Sequence, residues 1–210
     1  MAEVPLERSS ERLTVAASQW LDAALFHGAF AVDATVGNGY DTLFLAHRVG
    51  EQGRVLGFDV QKVALNGAAE LLRFAGVLNR VTLILESHSN ISRYLSAGQI
   101  VHGAMFNLGY LPRGNRQIIT QPETTLAALQ ALLEHLAPHG RLTLLSYRGH
   151  TGGTEECTAV REFLRSVRAE EFSVRELAGM QDTDTTPRLF LVERAVRTET
   201  PENSAQRGRI

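Results

Sequence analysis

The chain has 210 residues, of which 44% are hydrophobic and 21% are charged, and its formal net charge at pH 7 is −2. This composition predicts one globular domain, large enough to fold without disulfides or structural metals. The single cysteine, Cys157, excludes a disulfide framework and a cysteine-rich zinc site, so we expect no bound metal. Proteins that bind the DNA backbone usually have a basic net charge. The slightly acidic net charge of this chain therefore predicts no DNA partner and at most a local RNA contact.

The ends of the chain are polar. The first residues lack the apolar segment of a secretory signal, and no run of about 18 apolar residues predicts a membrane-spanning helix. We therefore expect a cytoplasmic protein without a membrane partner. Residues 1–9 are expected to be a flexible N-terminus, residues 10–196 the folded domain, and residues 197–210 a disordered tail.

Short apolar segments alternate along the chain with segments of helical periodicity. In chain order the pattern predicts a helix over 10–27, a strand over 29–33, a helix over 41–49, a strand over 54–59, a helix over 63–75, and strands over 80–85 and 103–107. A helix then begins at TQPE, where Thr120 is expected to cap it with Glu123 completing a capping box, and it stops at Pro138. A strand over 141–147, a helix over 155–169 and strands over 173–177 and 188–193 follow. This order predicts an α/β fold: a single Rossmann-like domain whose mainly parallel, seven-stranded sheet carries helices on both faces.

A glycine-rich turn lies between the first strand and the next helix, in the sequence AVDATVGNGYDT. Gly37, Asn38 and Gly39 form the turn, with Asp33 before it at the strand end and Asp41 after it in the first turn of the helix. Glycines at such a turn let the backbone approach a ligand closely. We therefore place these five residues in a nucleoside-binding site.

The ends of the next two strands extend this site. The second strand ends in GFDVQ, so Asp59 lies about 20 residues beyond the turn, where an acid accepts hydrogen bonds from ribose hydroxyls. Gln61 can add an amide contact. The third strand ends in ESHSN, which puts Ser87 and His88 beside the expected adenine region.

Two classes of cofactor use this arrangement. The nicotinamide dinucleotide motif G-x-G-x-x-G needs a third glycine, and Thr42 stands in its place. Asp33 and Asp41 would repel a pyrophosphate, whereas they suit the sulfonium and ammonium groups of S-adenosylmethionine. The pattern favours S-adenosylmethionine, although a glycine-rich turn by itself indicates no more than a tight turn.

The fourth strand ends in FNLGYLP, a candidate acceptor site. Asn107 followed by Tyr110 and Pro112 resembles the Asn-Pro-Pro-Tyr loop of amino methyltransferases. The side-chain carbonyl of Asn107 can accept a hydrogen bond from an attacking amine, and Tyr110 can stack on a planar base, so both are candidate catalytic residues. A turn in which Asn107 is a cap and Tyr110 is half-buried fits the same residues equally well.

Two loops at the same edge of the predicted sheet carry candidate substrate-binding residues. These are Arg113 and Arg116 after the fourth strand, and Tyr147, Arg148 and His150 in the sequence YRGHTGG after the fifth. Arginines at this rim can hold RNA phosphates, and a histidine can contact the substrate or accept a proton from an ammonium. Solvated loop charge and a structural histidine are the alternative interpretations.

Together, DATVGNGYDTLFLA, GFDVQ, ESHSNI, FNLGYLP, QPETTLAAL and YRGHTGG resemble the small bacterial family named "putative rRNA methylase", over about Leu13 to Glu193. The resemblance implies a class I methyltransferase that uses S-adenosylmethionine. It further implies methylation of the 5-aminomethyl group of 2-thiouridine at the tRNA wobble position, with the anticodon region as partner and a homodimer as the assembly. It implies cofactor contacts by Asn38, Asp41, Asp59, Gln61, Ser87 and His88, and an acceptor pocket containing Asn107, Tyr110, Tyr147 and His150.

The sequence departs from the family's pattern at the predicted acceptor rim. Tyr40 replaces a histidine, Arg148 replaces a proline, and residues 113–116 replace Gly-Gly-Asp-Lys. These changes bear on the RNA substrate and leave the cofactor residues intact. The competing hypotheses are a methyltransferase for rRNA or a small-molecule amine, an RNA-binding module without catalysis, and a nicotinamide oxidoreductase.

Overall fold

A computed structural model describes residues 6–111, 115, 117–179 and 183–196. Its strands are β1 (Phe30–Asp33), β2 (Arg54–Phe58), β3 (Val81–Ile84), β4 (Val101–Leu108), β5 (Leu136–Ser146), β6 (Phe172–Ala178) and β7 (Arg188–Arg194). Its helices are α1 (Leu6–Asp22), α2 (Tyr40–Val49), α3 (Lys62–Phe74), α4 (Pro122–His135) and α5 (Gly153–Ser166), with 3₁₀ helices over Leu78–Arg80 and His88–Tyr94. Within the described ranges, no helix has the length and apolarity needed to cross a membrane.

The strands form one seven-stranded sheet in the order β3-β2-β1-β4-β5-β7-β6. The neighbours from β3 to β5 are parallel, and β7 is antiparallel to both β5 and β6. The predicted mainly parallel, seven-stranded sheet is thus confirmed. The strand order reverses between β1 and β4, and ligands of such sheets bind in the crevice at that point, beyond the carboxyl ends of the strands.

Helices cover both faces of the sheet because its central strands are apolar on both sides. Along β4, Ala104, Phe106 and Leu108 pack into the layer under α4 and α5, whereas Met105 packs into the layer under α1, α2 and α3. This alternation follows from the two-residue period of side chains in a strand. The two apolar layers hold the strand ends in fixed positions, and the loops that follow these ends carry the candidate site.

Several boundaries differ from the prediction. Helix α1 begins at Leu6, which includes residues 6–9 of the predicted flexible N-terminus, and it ends at Asp22, well before residue 27. Strand β5 begins at Leu136 directly after α4, so the predicted stop at Pro138 lies within this strand, where His139 has a φ of 59°. The predicted tail, residues 197–210, lies outside the described residues.

The predicted cap of α4 is wrong. The residue at the N-cap position is Gln121, whose side chain makes no capping hydrogen bond. The Thr120 hydroxyl instead accepts the Gly109 N–H at 3.0 Å and donates to Glu156 at 2.6 Å, so its hydrogen bonds go to the loop after β4 and to α5 and not to the first turn of α4. The hydroxyl that was predicted to cap α4 therefore donates to a residue of α5 that is distant in the sequence.

Candidate functional site

A cavity of about 890 Å³ opens beyond the carboxyl ends of the central strands. This volume is within the range of small-molecule sites. Loops after five strands contribute predicted residues to its wall: Gly37, Asn38, Asp41, Asp59, Gln61, Ser87, His88, Asn107, Tyr110, Tyr147, Arg148 and His150. Most of the predicted cofactor and acceptor residues therefore lie in one cavity, as expected for residues that follow the carboxyl ends of neighbouring parallel strands.

The glycine turn after β1 depends on both of its glycines. Gly37 and Gly39 have φ values of 51° and 83°, in the left-handed region that glycine adopts without strain. A Cβ atom added to Gly39 would lie 2.8 Å from the Cβ of Ala68 on α3, a distance that real side chains do not tolerate. Gly37 lines the cavity, whereas Gly39 packs the turn against α3 outside the cavity wall.

Asp59 joins two loops at the edge of the cavity. Its Oδ2 accepts a hydrogen bond from the Gly37 N–H at 2.9 Å, and its Oδ1 accepts one from the Gln61 N–H at 2.8 Å. Burial raises the pKa of this carboxyl above its ordinary value. Each oxygen of a carboxylate has two lone pairs, so Asp59 can still accept hydrogen bonds from a ligand while it holds both loops.

Asp33 lies beneath the cavity rather than in its wall. It is fully buried, accepts the Thr42 hydroxyl at 2.6 Å and accepts the Thr35 N–H at 3.1 Å. Burial, with a contribution from the nearby Asp41 carboxylate, raises the pKa of Asp33 to about 7. The prediction placed this acid against the cofactor, and the structure gives it a supporting position below the turn.

Asp41 and Asn107 contact each other in the wall of the cavity. The side-chain amide nitrogen of Asn107 donates a hydrogen bond to the Asp41 carboxylate, and its backbone N–H donates to the Thr35 hydroxyl at 2.7 Å. Burial raises the pKa of Asp41 to about 6. Because Asp41 fixes the NH₂ end of the amide, the carbonyl oxygen of Asn107 is the end that remains for an incoming N–H donor.

His88 is a neutral imidazole in the cavity wall. Burial lowers its pKa to about 4, so it carries no charge at pH 7. Its Nδ1 lies 3.2 Å from the Ala34 carbonyl oxygen, which makes Nδ1 the protonated nitrogen. Its buried Nε2 has no hydrogen-bond partner among the residues that the structure describes. This nitrogen is therefore an acceptor for a ligand N–H or O–H group.

The loops after β4 and β5, which carry the predicted acceptor residues, form another part of the cavity wall. The Tyr110 ring is 39% exposed and lies edge-on to the His150 ring, with centroids 5.9 Å apart. Arg148 donates to the Thr183 carbonyl oxygen at 3.4 Å, which ties the β5 loop to the β6–β7 turn. Of the predicted rim arginines, Arg113 and Arg116 lie outside the described residues.

With this geometry established, comparison with known proteins assigns the family. The sequence profile of the family described as "Putative rRNA methylase" matches residues 55–193. The chain belongs to this family. Family membership confirms the prediction of a class I methyltransferase that depends on S-adenosylmethionine.

Solved structures and a curated relative agree with the rRNA methylase family. A "putative rRNA-methylase" from Clostridium thermocellum is 39% identical, with a TM-score of 0.82 over 86% of this chain and 96% of that one. A "putative methyltransferase" from Streptococcus mutans, solved in complex with S-adenosylhomocysteine, is 35% identical, with a TM-score of 0.76 over 92% of this chain and 99% of that one. The chloroplastic tRNA (mnm(5)s(2)U34)-methyltransferase of Arabidopsis thaliana is 40% identical over 144 residues, which are 65% of this chain and 53% of that protein. The chain thus spans about half the length of this curated relative.

The residues of the cavity fit the family's cofactor. The carboxylates of Asp33, which is buried, and of Asp41 and Asp59, which are half-buried, favour a cation in the cavity, which suits a sulfonium and an ammonium group. Asp59 offers lone pairs to ribose hydroxyls, and the unpartnered Nε2 of His88 offers an acceptor to a polar ligand group. A pyrophosphate would meet the same carboxylates as like charges, which disfavours the nicotinamide alternative.

Sequence reasoning missed several residues of the site. Thr35 positions the backbone of Asn107, Thr14 of α1 lines the cavity, and Thr185 and Pro187 line it from the β6–β7 turn. Thr14 and the β6–β7 turn reach the site only through tertiary packing, and no local motif marks them. Thr35 lies two residues after Asp33, within the motif AVDATVGNGYDT, so the sequence could have indicated a role for it.

Proposed function

We propose that this chain methylates the 5-aminomethyl group of 2-thiouridine at the tRNA wobble position. The neutral amine nitrogen forms a bond to the methyl carbon of S-adenosylmethionine as the sulfur–methyl bond breaks. S-adenosylhomocysteine leaves, and the nitrogen releases one proton to give 5-methylaminomethyl-2-thiouridine. The Arabidopsis relative bears the name of this activity and is 40% identical over 144 residues. A cytoplasmic location, the anticodon region as RNA partner and a homodimer are part of the same proposal.

The observation that carries the proposal is the pairing of Asn107 with Asp41. Asp41 accepts the amide N–H of Asn107, which leaves the Asn107 carbonyl oxygen to accept an N–H from the substrate amine. An amine held in this way directs its lone pair along one line, and such orientation is a large part of catalysis when no difficult proton transfer accompanies bond formation. An acceptor that carries an N–H or O–H group, such as an amine, therefore suits this asparagine better than a carbon acceptor.

The base that carries the amine needs a flat surface beside Asn107. Tyr110 lines the cavity three residues further along the chain, with 39% of its surface exposed. A half-exposed aromatic ring at the mouth of a cavity can stack on an unpaired base, which is the usual way that proteins recognise single-stranded RNA. The wobble base lies in an anticodon loop and can be turned out toward such a ring.

The test is methyl transfer from labelled S-adenosylmethionine to bulk tRNA from cells that lack the gene, followed by mass spectrometry of the nucleosides. The proposal predicts a new 5-methylaminomethyl-2-thiouridine peak with the wild-type chain and none with Asn107→Ala. Label at a different tRNA nucleoside would refute the wobble assignment. Calorimetry of S-adenosylmethionine binding to Asn107→Ala is the control for a folded cofactor site.

A second candidate acceptor is an rRNA base or a small-molecule amine. The family description favours rRNA, and the residues that depart from the family pattern include Tyr40 and Arg148, which line the cavity. Labelling of purified ribosomal RNA by the same protein, with no label in tRNA, would support this alternative. Turnover of a free amine without any RNA would support the small-molecule form.

A further inference from the structure

A buried carboxylate outside the predicted site contacts the loop that carries Tyr110. Glu156, in the first turn of α5, is 1% exposed. Its Oε2 accepts the Thr120 hydroxyl at 2.6 Å, and its Oε1 accepts the Thr125 hydroxyl at 2.7 Å. Burying a carboxylate is costly unless hydrogen bonds compensate it, so this arrangement calls for an explanation.

The partner Thr120 closes the loop that follows β4. Its hydroxyl accepts the Gly109 N–H at 3.0 Å while donating to Glu156, and its own N–H donates to the Gly109 carbonyl oxygen at 3.0 Å. Next to this pair, Tyr110 and Ile119 form an antiparallel bridge. We call residues 109–111 and 117–120 the acceptor loop; residues 112–114 and 116 between them lie outside the described part of the chain.

The hydrogen bonds form a continuous path from α5 to the proposed acceptor site. Glu156 accepts a hydrogen bond from the Thr120 hydroxyl, and this hydroxyl accepts one from the Gly109 N–H. Gly109 lies between Asn107 and Tyr110 in the chain. On the other side of Gly109, a Cβ atom would lie 3.5 Å from Nε2 of His150, an ordinary van der Waals distance, so the His150 ring packs beside the loop at this point. A shift of Gly109 would therefore move Tyr110 relative to Asn107.

We propose that Glu156 is a positioning residue that fixes the acceptor loop through Thr120 and so sets the placement of Tyr110 beside Asn107. This inference rests on the proposed function for the roles of Asn107 and Tyr110. Glu156 itself does not line the cavity. Burial raises the pKa of Glu156, with its two hydrogen bonds opposing that shift, as expected for a carboxylate kept for its acceptor geometry.

The chain offers a matched pair of variants. Thr120→Val and Thr125→Val each remove one hydroxyl from Glu156 while keeping the side chain's shape. Thr120 belongs to the acceptor loop and lines the cavity, whereas Thr125 is fully buried in α4 and does not line it. Thr120→Val also removes the acceptor of the Gly109 N–H, so Glu156→Gln tests the carboxylate separately. A positioning role for Glu156 predicts that Glu156→Gln, like Thr120→Val, speeds Gly109 exchange and impairs methyl transfer, whereas a purely structural role predicts that Glu156→Gln lowers only the melting temperature.

The experiment measures kcat and KM for tRNA, the melting temperature, and the hydrogen-exchange rate of the Gly109 amide by NMR. For Thr120→Val we expect kcat/KM to fall by about tenfold to a hundredfold, because small misplacements of reacting groups have effects of this size. The Gly109 amide should exchange about tenfold faster, while affinity for S-adenosylmethionine stays within about twofold. Thr120→Ser should restore turnover, and Thr125→Val should lower the melting temperature with normal turnover.

Equal losses of turnover in Thr120→Val and Thr125→Val, following their melting temperatures, would overturn the positioning role. An unchanged Gly109 exchange rate in Thr120→Val would overturn the hydrogen-bond path. If the proposed function is wrong, the experiment gives a different result. In that case wild-type protein would transfer no methyl group to tRNA, while Thr120→Val would still speed Gly109 exchange and so support the loop assignment.

Discussion

Asp59→Asn tests the cofactor site with almost no change in side-chain shape. The carboxylate accepts backbone N–H groups from Gly37 at 2.9 Å and from Gln61 at 2.8 Å, one on each oxygen. Asparagine has a single acceptor oxygen, so one of these N–H groups would face the NH₂ of the new amide. The variant also removes the negative charge that we expect to accept ribose hydroxyls.

The size of the effect follows from the hydrogen bonds that are lost. A hydrogen bond to a charged group contributes about 1.5–3 kcal/mol. Losing one such bond to the ribose would raise the dissociation constant for S-adenosylmethionine roughly 10- to 100-fold. Losing one N–H acceptor lowers the free energy of unfolding of the cofactor-free protein by about the same amount.

Titration calorimetry with S-adenosylmethionine and thermal melts without it measure the two effects separately. Asp22→Asn is the control, because Asp22 also accepts hydrogen bonds from a partner, Arg48, but lies outside the cavity. Its cofactor affinity should equal that of the wild type. If Asp59→Asn melts at a lower temperature but binds the cofactor normally, then Asp59 only joins the two loops and the ribose contact is refuted.

Three further predictions concern the acceptor and the pH dependence. Asn107→Ala should lower kcat by about 100-fold, since it removes the group that orients the amine, while calorimetry finds cofactor affinity within about threefold of the wild type. Tyr110→Ala should raise KM for tRNA by about tenfold in steady-state assays, whereas Tyr110→Phe, which keeps the ring, should stay within about twofold. Burial raises the pKa of Asp33 to about 7 and that of Asp41 to about 6, so cofactor-free protein loses stability as pH rises from about 4 through 7. A bound cation favours the ionised carboxylates, so affinity for S-adenosylmethionine should be about tenfold weaker at pH 5 than at pH 8 by calorimetry.

Each of these predictions has a result that would contradict it. Normal turnover in Asn107→Ala would remove that residue from the mechanism, and equal KM values for Tyr110→Ala and the wild type would exclude stacking. An affinity for S-adenosylmethionine that is constant from pH 5 to pH 8 would mean that the carboxylates do not sense the bound cation.

The sequence predicted the fold, and it predicted that most candidate site residues lie at one edge of the sheet, because both follow from local patterns. Apolar periodicity located the strands within a few residues, and the rule that ligands bind at the carboxyl ends of parallel strands brought Asp59 and Asn107 into one cavity. The prediction was less successful for the end of α1 and the start of β5, since tertiary packing and the absence of any loop after α4 determine these boundaries.

The individual roles of site residues were harder to predict because they depend on distant partners. Asp33 and Gly39 lie in the predicted motif, yet both support the turn from behind the cavity wall. Thr120 was assigned to a helix cap, but its hydroxyl donates to Glu156, which is 36 residues further along the chain. A single sequence identifies the edge of the sheet that binds ligands, whereas the side chains that reach the ligand are set by the three-dimensional packing.

The central claim is that Asn107 orients an amine for methylation. The most direct test is a single-turnover reaction with S-adenosylmethionine and two synthetic anticodon stem-loops, one with 5-aminomethyl-2-thiouridine and one with 2-thiouridine at the wobble position. We expect one methyl group on the stem-loop that has the amine, none on the other, and loss of the product with Asn107→Ala. Methylation of the stem-loop that lacks the amine, or none of either stem-loop by protein that binds S-adenosylmethionine, would contradict it.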